Sequence, residues 1–482
     1  MTNRVAAQQQ DTRHLAKNSI GLAHIVFFVV AAAAPLTAVV GASPVAFAFG
    51  NGVGVPGAYL LAGILYLVFS AGFTAMSRYV GNAGGFYAYI KQGLGTPAGI
   101  GGAMIAIVTY YAVQIAVYAL FGVFLAGALD PFGIVAPWWV WSIGALVVIY
   151  FCGRRNIAFS GTILAYCMVA EVAILLLLDV AIVLAGGGPE GIGFASFAPS
   201  EIFAPGLGVA LVFVLASFIG FEATAIFAEE AETPERTIPR ATYMAVTLIA
   251  VFYAFSTWAI VQHYGPGQIV ASSEGALETL YFDASGALLG AWSVVVMNVL
   301  LITSLFAALL SFHNTINRYF FALGRESVAP SALGAVHVKH GSPHVASLVQ
   351  SLIAAAIILA FVVGGQDPYA VVFSWMSALA VVGIIAVQVL VCLAVIRFFR
   401  KRPALEVGPI RAVIAPLVSA VGLVAAFVLV SANLSLLSGS DSLIVASFPY
   451  LIVLVGLAGA AFAMWLRSAR PQVYSSLGKA FE

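Results

Sequence analysis

Twelve apolar stretches, each close to the length that crosses a bilayer, run through this chain. They lie at residues 20–49, 56–76, 97–128, 136–152, 159–185, 206–231, 238–262, 286–322, 344–365, 368–399, 409–434 and 443–467. A spanning helix needs about 20 mostly apolar residues. In lipid every backbone N–H and C=O must find its partner within the protein, so only helices and closed barrels cross. Runs of this length read as helices, and the predicted fold class is an all-α integral membrane protein with twelve transmembrane helices. Composition agrees: 62% of the residues are hydrophobic and 8% are charged, against about 25% charged in a soluble domain. The longer connections are 77–96, 186–205, 263–285 and 323–343.

Charge sets the orientation. With residues 1–19 as a cytoplasmic tail, the inside segments hold Arg4, Arg13, Lys17, Arg78, Lys91, Arg154, Arg155, Arg236, Arg240, Arg318, Arg325, Lys339, Arg397, Arg400, Lys401, Arg402, Arg411, Arg467, Arg470 and Lys479, which is all 20 of the Lys and Arg residues. The positive-inside rule then puts both termini, including a tail at 468–482, on the cytoplasmic side of the cytoplasmic membrane. Outside loops carry Asp130, Glu190, Glu201, Glu274, Glu278, Asp283, Asp367 and Asp441 instead. The first 19 residues are polar and basic, with no short apolar core and small-residue cleavage site after them, so no cleavable signal peptide is expected. Cys152, Cys167 and Cys392 sit in apolar runs without metal spacing and read as packing residues. Neither a cofactor, a metal nor a nucleic-acid partner is expected; the surroundings are membrane lipid.

Spans 1 and 6 are interrupted. Span 1 contains Pro35 within AAAAPLTAVVGASP, where proline removes a backbone donor and clashes with the preceding turn. Span 6 breaks at Ser217-Phe218-Ile219-Gly220-Phe221-Glu222. Five spans separate the two starts, so spans 1–5 (20–185) and 6–10 (206–400) form two repeats of opposite orientation, with spans 11 and 12 (409–467) outside them. Paired interruptions in two halves point to a transporter binding site.

Past the first break at Pro35, the amides of Leu36, Thr37, Ala38 and Val39 form the positive end of an outer half-helix. With the Thr37 hydroxyl they suit a carboxylate. The second break presents carbonyls near Ala216, Ser217 and Phe218, which suit an ammonium. Together they would read a zwitterion. Phe218, Gly220 and Phe221, with Tyr110, Tyr111 and Gln114 of span 3, are candidate walls. Glu222 and Glu171 are carboxyls at membrane depth and candidate proton carriers; Asp179 lies nearer the outside. Thr303 and Ser304 of span 8 are a possible sodium site. The alternatives are structural: Pro35 as an ordinary kink, the aromatics as core, the carboxyls as ties between helices, and the hydroxyls, with Asn298, Ser311 and Asn314, bonded to their own helix. Glu229, Glu230 and Glu232 with Arg236 and Arg240 read as a paired cytoplasmic gate region.

Several motifs resemble the amino acid–polyamine–organocation permeases. These are Phe218-Ile219-Gly220-Phe221-Glu222 with Glu229-Glu230 and Pro234-Glu235-Arg236-Thr237-Ile238-Pro239-Arg240; Asn82-Ala83-Gly84-Gly85-Phe86-Tyr87-Ala88-Tyr89 before Gly93-Leu94-Gly95; and Arg325-Glu326-Ser327-Val328-Ala329-Pro330 with Gly341-Ser342-Pro343. The likeness runs in order over roughly residues 20–400. It implies the five-plus-five inverted-repeat fold of the bacterial leucine transporter, alternating access, and transport of an amino acid or amine driven by H⁺, Na⁺ or exchange. The chain departs from the family in three places. Ala34-Pro35-Leu36-Thr37-Ala38 replaces a glycine-rich break. Span 5 carries Glu171 where some proton-coupled relatives carry a lysine. Val214-Leu215-Ala216 stands where relatives place an aromatic gate.

The reading is a secondary active transporter of a small-molecule substrate, a neutral amino acid, coupled to H⁺, with spans 1, 2, 6 and 7 rocking against 3, 4, 8 and 9. A polyamine or organic amine permease, a Na⁺-coupled carrier, an exchanger and a non-transporting nutrient sensor are the alternatives. An intramembrane enzyme would need a catalytic His or loop, and no such pattern is present. Oligomeric state is left open.

Overall fold

A helix in lipid satisfies its own backbone, and the apolar runs do become helices. The computed structural model describes residues 21–80, 85–155, 161–222, 224, 233–337, 340–438 and 442–477. Its main elements are α1 (Leu22–Ala32), α2 (Ser43–Phe49), α3 (Val55–Ser77), α4 (Gly85–Leu94), α5 (Thr96–Leu129), α6 (Trp138–Arg154), α7 (Gly161–Leu184), α8 (Leu207–Ala216) and α9 (Pro234–Tyr264). They continue with α10 (Leu280–Leu289), α11 (Ala291–Arg325), α12 (His344–Val363), α13 (Ser374–Arg400), α14 (Ala415–Ala432), α15 (Phe448–Ala469) and α16 (Pro471–Ser476). Among the described residues there is no strand. Nine helices among them are long and apolar enough to cross a membrane. Three shorter apolar helices, Thr37–Phe49, Trp138–Arg154 and Leu207–Ala216, stand where spans 1, 4 and 6 were expected.

The connection 77–96 contains a helix, α4, whose ten residues are too few to cross, so it remains a connection. One boundary is corrected. Span 8 does not begin at 286: Gly290, with φ +90°, separates α10 from α11. Residues 1–20 and 478–482, Asn82-Ala83-Gly84 and the acidic run Glu229, Glu230 and Glu232 lie outside the described residues.

Packing sorts the helices into two groups. In one, α9 packs on α3 and α1, and α8 packs on α2 and α3. Gly63 lets α3 approach α9 so closely that a Cβ there would stand 2.3 Å from the Ala250 Cβ. In the other group α5 is central, packed against α6, α11, α13 and α15, and α12 joins α6 and α11. Gly101 of α5 and Gly459 of α15 bring those backbones together: a Cβ on Gly459 would lie 2.9 Å from the Gly101 Cα.

Candidate functional site

Both predicted breaks are present. Pro35 disfavours a right-handed helical Ala34, because its ring meets the preceding residue's backbone. Ala34 takes φ +46°, in the left-handed region. For a residue with a Cβ this conformation costs about 1–2 kcal/mol. Tyr253 of α9 donates to the Ala33 carbonyl at 3.1 Å, which satisfies one group freed by the break. Beyond it the chain widens into a π-helical turn, Thr37–Ala42, before α2. Ala34→Gly should therefore be tolerated or raise the melting free energy by under about 1 kcal/mol, because relief of strain outweighs the added unfolded-state entropy. Ala34→Val should lower it, since β-branching does not tolerate this φ. Thermal melts of the purified variants check both.

In span 6, α8 ends at Ala216 and the chain tightens. Phe218 N–H donates to the Leu215 carbonyl (3.2 Å), Ile219 to Ala216 (3.0 Å) and Phe221 to Phe218 (3.2 Å). Gly220, at φ +116°, turns the chain. Its amide donates to Glu222 Oε2 at 2.9 Å, and the Tyr110 hydroxyl donates to Glu222 Oε1 at 3.1 Å. Glu222 is thus buried and turned back on the break, bracing it from α5.

Between the breaks lies a cavity of about 70 Å³. Thr37 and Ala38 line it from span 1, Ala216 and Ser217 from span 6, and Ala116, Ala308, Phe312, Phe373 and Ser377 from α5, α11, the turn before α13 and α13. Among the described residues no charged side chain lines it.

A second cluster sits beside it. Glu171 of α7 is 4% exposed and accepts from the Ser304 hydroxyl of α11 at 2.8 Å. Thr37 Oγ1 donates to Ser304 Oγ at 3.4 Å. Through Ser304 this carboxyl links the first break to α7 and α11. The Ala38 amide, one of those offered to a substrate carboxylate, is engaged by the Ala34 carbonyl at 3.0 Å.

The other candidates fall elsewhere. Phe218 and Phe221 do not wall the cavity. The short turns after Ala216 swing both rings onto α3, where each centroid lies 5.0 Å from that of Tyr66. Pro35, Leu36 and Val39 are buried in helix packing. Gln114 accepts from the Gln350 amide, and Tyr111 donates to the Gln350 carbonyl at 3.4 Å, so both tie α5 to α12. Thr303 is exposed and bonds to its own helix at the Leu300 carbonyl (2.9 Å), one residue round the helix from Ser304. Asn298 likewise bonds to Val294. Asp179 is 1% exposed and accepts from Ser256 of α9 at 2.6 Å. Missing from the sequence reading were Phe213, Phe312, Phe373, Ser377 and the alanines of α5, α11 and α13. No local signal marks them.

A family model described as amino acid permease matches residues 24–473. The chain belongs to the amino acid permease family. It is a multi-pass membrane protein, as its apolar helices require. Among its relatives, the aromatic amino acid transport protein AroP of Escherichia coli O6:H1 is 25% identical over 55% of this chain and 58% of its own length. The amino-acid permease GAP5 of Candida albicans is 28% identical over 53% of this chain and 42% of its own. The uncharacterized amino acid permease YtnA of Bacillus subtilis is 25% identical over 54% and 56%. The chain spans about half the length of these relatives.

Proposed function

We propose that this chain is a secondary active transporter that carries a neutral amino acid across the cytoplasmic membrane by alternating access, coupled to protons. The cavity between the two breaks carries the reading. Both interruptions face it, an outer half-helix with its positive end and the Thr37 hydroxyl on one side, and the end of α8 with Ser217 on the other. It lies between the two broken spans on one side and α5, α11 and α13 on the other, and the two packing groups would rock about it. The five-plus-five repeat, 20–185 and 206–400, supplies the paired breaks, and the one-sided distribution of Lys and Arg supports cytoplasmic termini.

The lining favours an uncharged, apolar side chain. A polyamine needs a carboxylate for its second ammonium, and both Glu171 and Glu222 are committed outside the lining. Of the proposed sodium ligands, only Ser304 reaches the Glu171 cluster, which favours a proton there over Na⁺. The relative AroP is an aromatic amino acid transport protein, which agrees with a neutral substrate here.

Purified protein in liposomes should take up a labelled neutral amino acid under an imposed pH gradient and ignore replacement of Na⁺ by choline. Saturable binding without flux would favour a sensor. Glu222→Gln keeps an acceptor for the Gly220 amide while removing the titratable group. It should slow pH-driven uptake about tenfold or more and leave substrate-induced thermal stabilisation in place. Undiminished pH-driven uptake by this variant would remove Glu222 from coupling.

A further inference from the structure

The short helix α4 has two buried faces. On the first, Phe86, Tyr89, Ile90 and Gly93 follow one another at helical spacing. The Tyr89 ring stacks on Phe73 of α3 at 4.7 Å, and Phe86 lies 6.0 Å from the same ring. Gly93 meets α13, where an added Cβ would stand 2.3 Å from the Ala394 carbonyl oxygen. On the second face are Tyr87 and Lys91, one turn apart. Here the last described segment of the chain folds back. The Lys91 ammonium donates to the Leu477 carbonyl. The Leu477 side chain, 3% exposed, packs in an apolar cluster with Tyr87, Ile100, Ala463 and Leu466, which Tyr319 and Tyr474 border.

Two chains of contact run from this seat to the break in span 6. The first is aromatic. From Phe73 it passes to Phe69 (5.6 Å), then to Phe221 (5.9 Å), with Tyr66 touching both Phe218 and Phe221. The second passes from Tyr319, at the edge of the Leu477 cluster, to the Tyr110 ring (5.9 Å) and through its hydroxyl to Glu222 and the Gly220 amide. Helix α4 follows α3 of one packing group and leads into α5 of the other. Because α4 touches α3 through Phe86 and Tyr89 and α13 through Gly93, relative motion of the two groups on this face shifts α4 against one of them.

We propose that residues 471–477 are an autoinhibitory strap: seated across α4, they resist the displacement that opens the cytoplasmic face and so slow turnover. The strap is intramolecular, and its occupant is the segment seen in place. This inference rests on the transport reading for its consequence but not for its contact, and the two are measured separately.

Leu477→Ala removes the apolar side chain from the seat at the periphery of the protein, where folding is least at risk; Lys91→Met removes the hydrogen bond to the Leu477 carbonyl. Hydrogen exchange of the α4 amides reads the contact. Uptake by reconstituted protein reads the consequence. With melting temperatures matched to the parent, Leu477→Ala should exchange α4 amides faster and raise the maximal uptake rate about three- to tenfold at unchanged KM. That is the change expected when part of one buried apolar contact leaves a two-state equilibrium. Lys91→Met should shift both readouts in the same direction by less. Unchanged α4 exchange in Leu477→Ala would overturn the strap even if the parent carried no amino acid. Faster exchange with an unchanged or lower uptake rate in a folded variant would overturn the inhibition. Should Leu477→Ala not fold, Lys91→Met decides by the same two readouts.

Discussion

Glu171→Leu is expected to abolish uptake and lower the melting temperature, whereas Glu171→Gln keeps the fold and loses the response to a pH gradient. The carboxyl accepts from the Ser304 hydroxyl, which itself accepts from Thr37 at the first break, and it is buried between α7 and α11. Leucine leaves the Ser304 donor without that acceptor. An unsatisfied buried group costs about 1–3 kcal/mol, a large part of a total folding stability of about 5–15 kcal/mol. The effect on transport should be larger than on stability. Ser304 holds Thr37, and the half-helix that begins there is one wall of the cavity. Glutamine offers a carbonyl oxygen of nearly the same reach, so the tie survives while proton exchange does not. Melting curves with pH-driven uptake separate the two roles. If Glu171→Gln responds to the gradient as the parent does, the carboxyl is a structural tie and coupling rests elsewhere.

How far these roles could be read from sequence differs residue by residue. The breaks were legible because proline and glycine act locally. Pro35 removes one donor and constrains the residue before it, and Gly220 alone in its neighbourhood adopts φ +116° without strain. That Ala34, with a Cβ, takes the left-handed turn was not legible, since tertiary contacts such as Tyr253 on the Ala33 carbonyl help hold it there. That Glu222 sits beside the break was legible, but the direction of its carboxyl was not. The break frees the Gly220 amide, and the nearest acceptor is the carboxyl two residues on. Phe218 and Phe221 read as walls on a regular helix; the tight turns after Ala216 rotate them onto Tyr66. Helix α4 is too short to register as a span, although one buried face is visible at 86, 89, 90 and 93 once a helix is granted. Least legible were the true walls. Ala116, Ala308 and Ala380 look like any small residue that lets helices approach in a bilayer. Only the placement of α5, α11 and α13 around one point turns them into a lining.

That lining of alanines yields the second large effect. Ala308→Leu is expected to cut substrate affinity about tenfold to a hundredfold while the protein still folds. Ala308 is 3% exposed and stands in the uninterrupted helix α11, four residues before Phe312, so both face the cavity on one side of that helix. The added isopropyl group has nowhere to go except the free space of about 70 Å³. Overpacking of this kind costs about 1–3 kcal/mol, and each 1.4 kcal/mol is about tenfold in affinity. Because α11 carries no break, the substitution leaves the half-helix ends and the Glu171 tie as they are. Phe312→Ala is the opposing change. It widens the same wall and should shift preference towards larger apolar side chains, at a stability cost of about 3 kcal/mol or more. Ligand-induced thermal shifts across a series of neutral amino acids measure both. Loss of binding in Ala308→Leu with a size shift in Phe312→Ala places the side-chain pocket here. Unaltered affinity and unaltered size preference in both would move the substrate out of this cavity altogether.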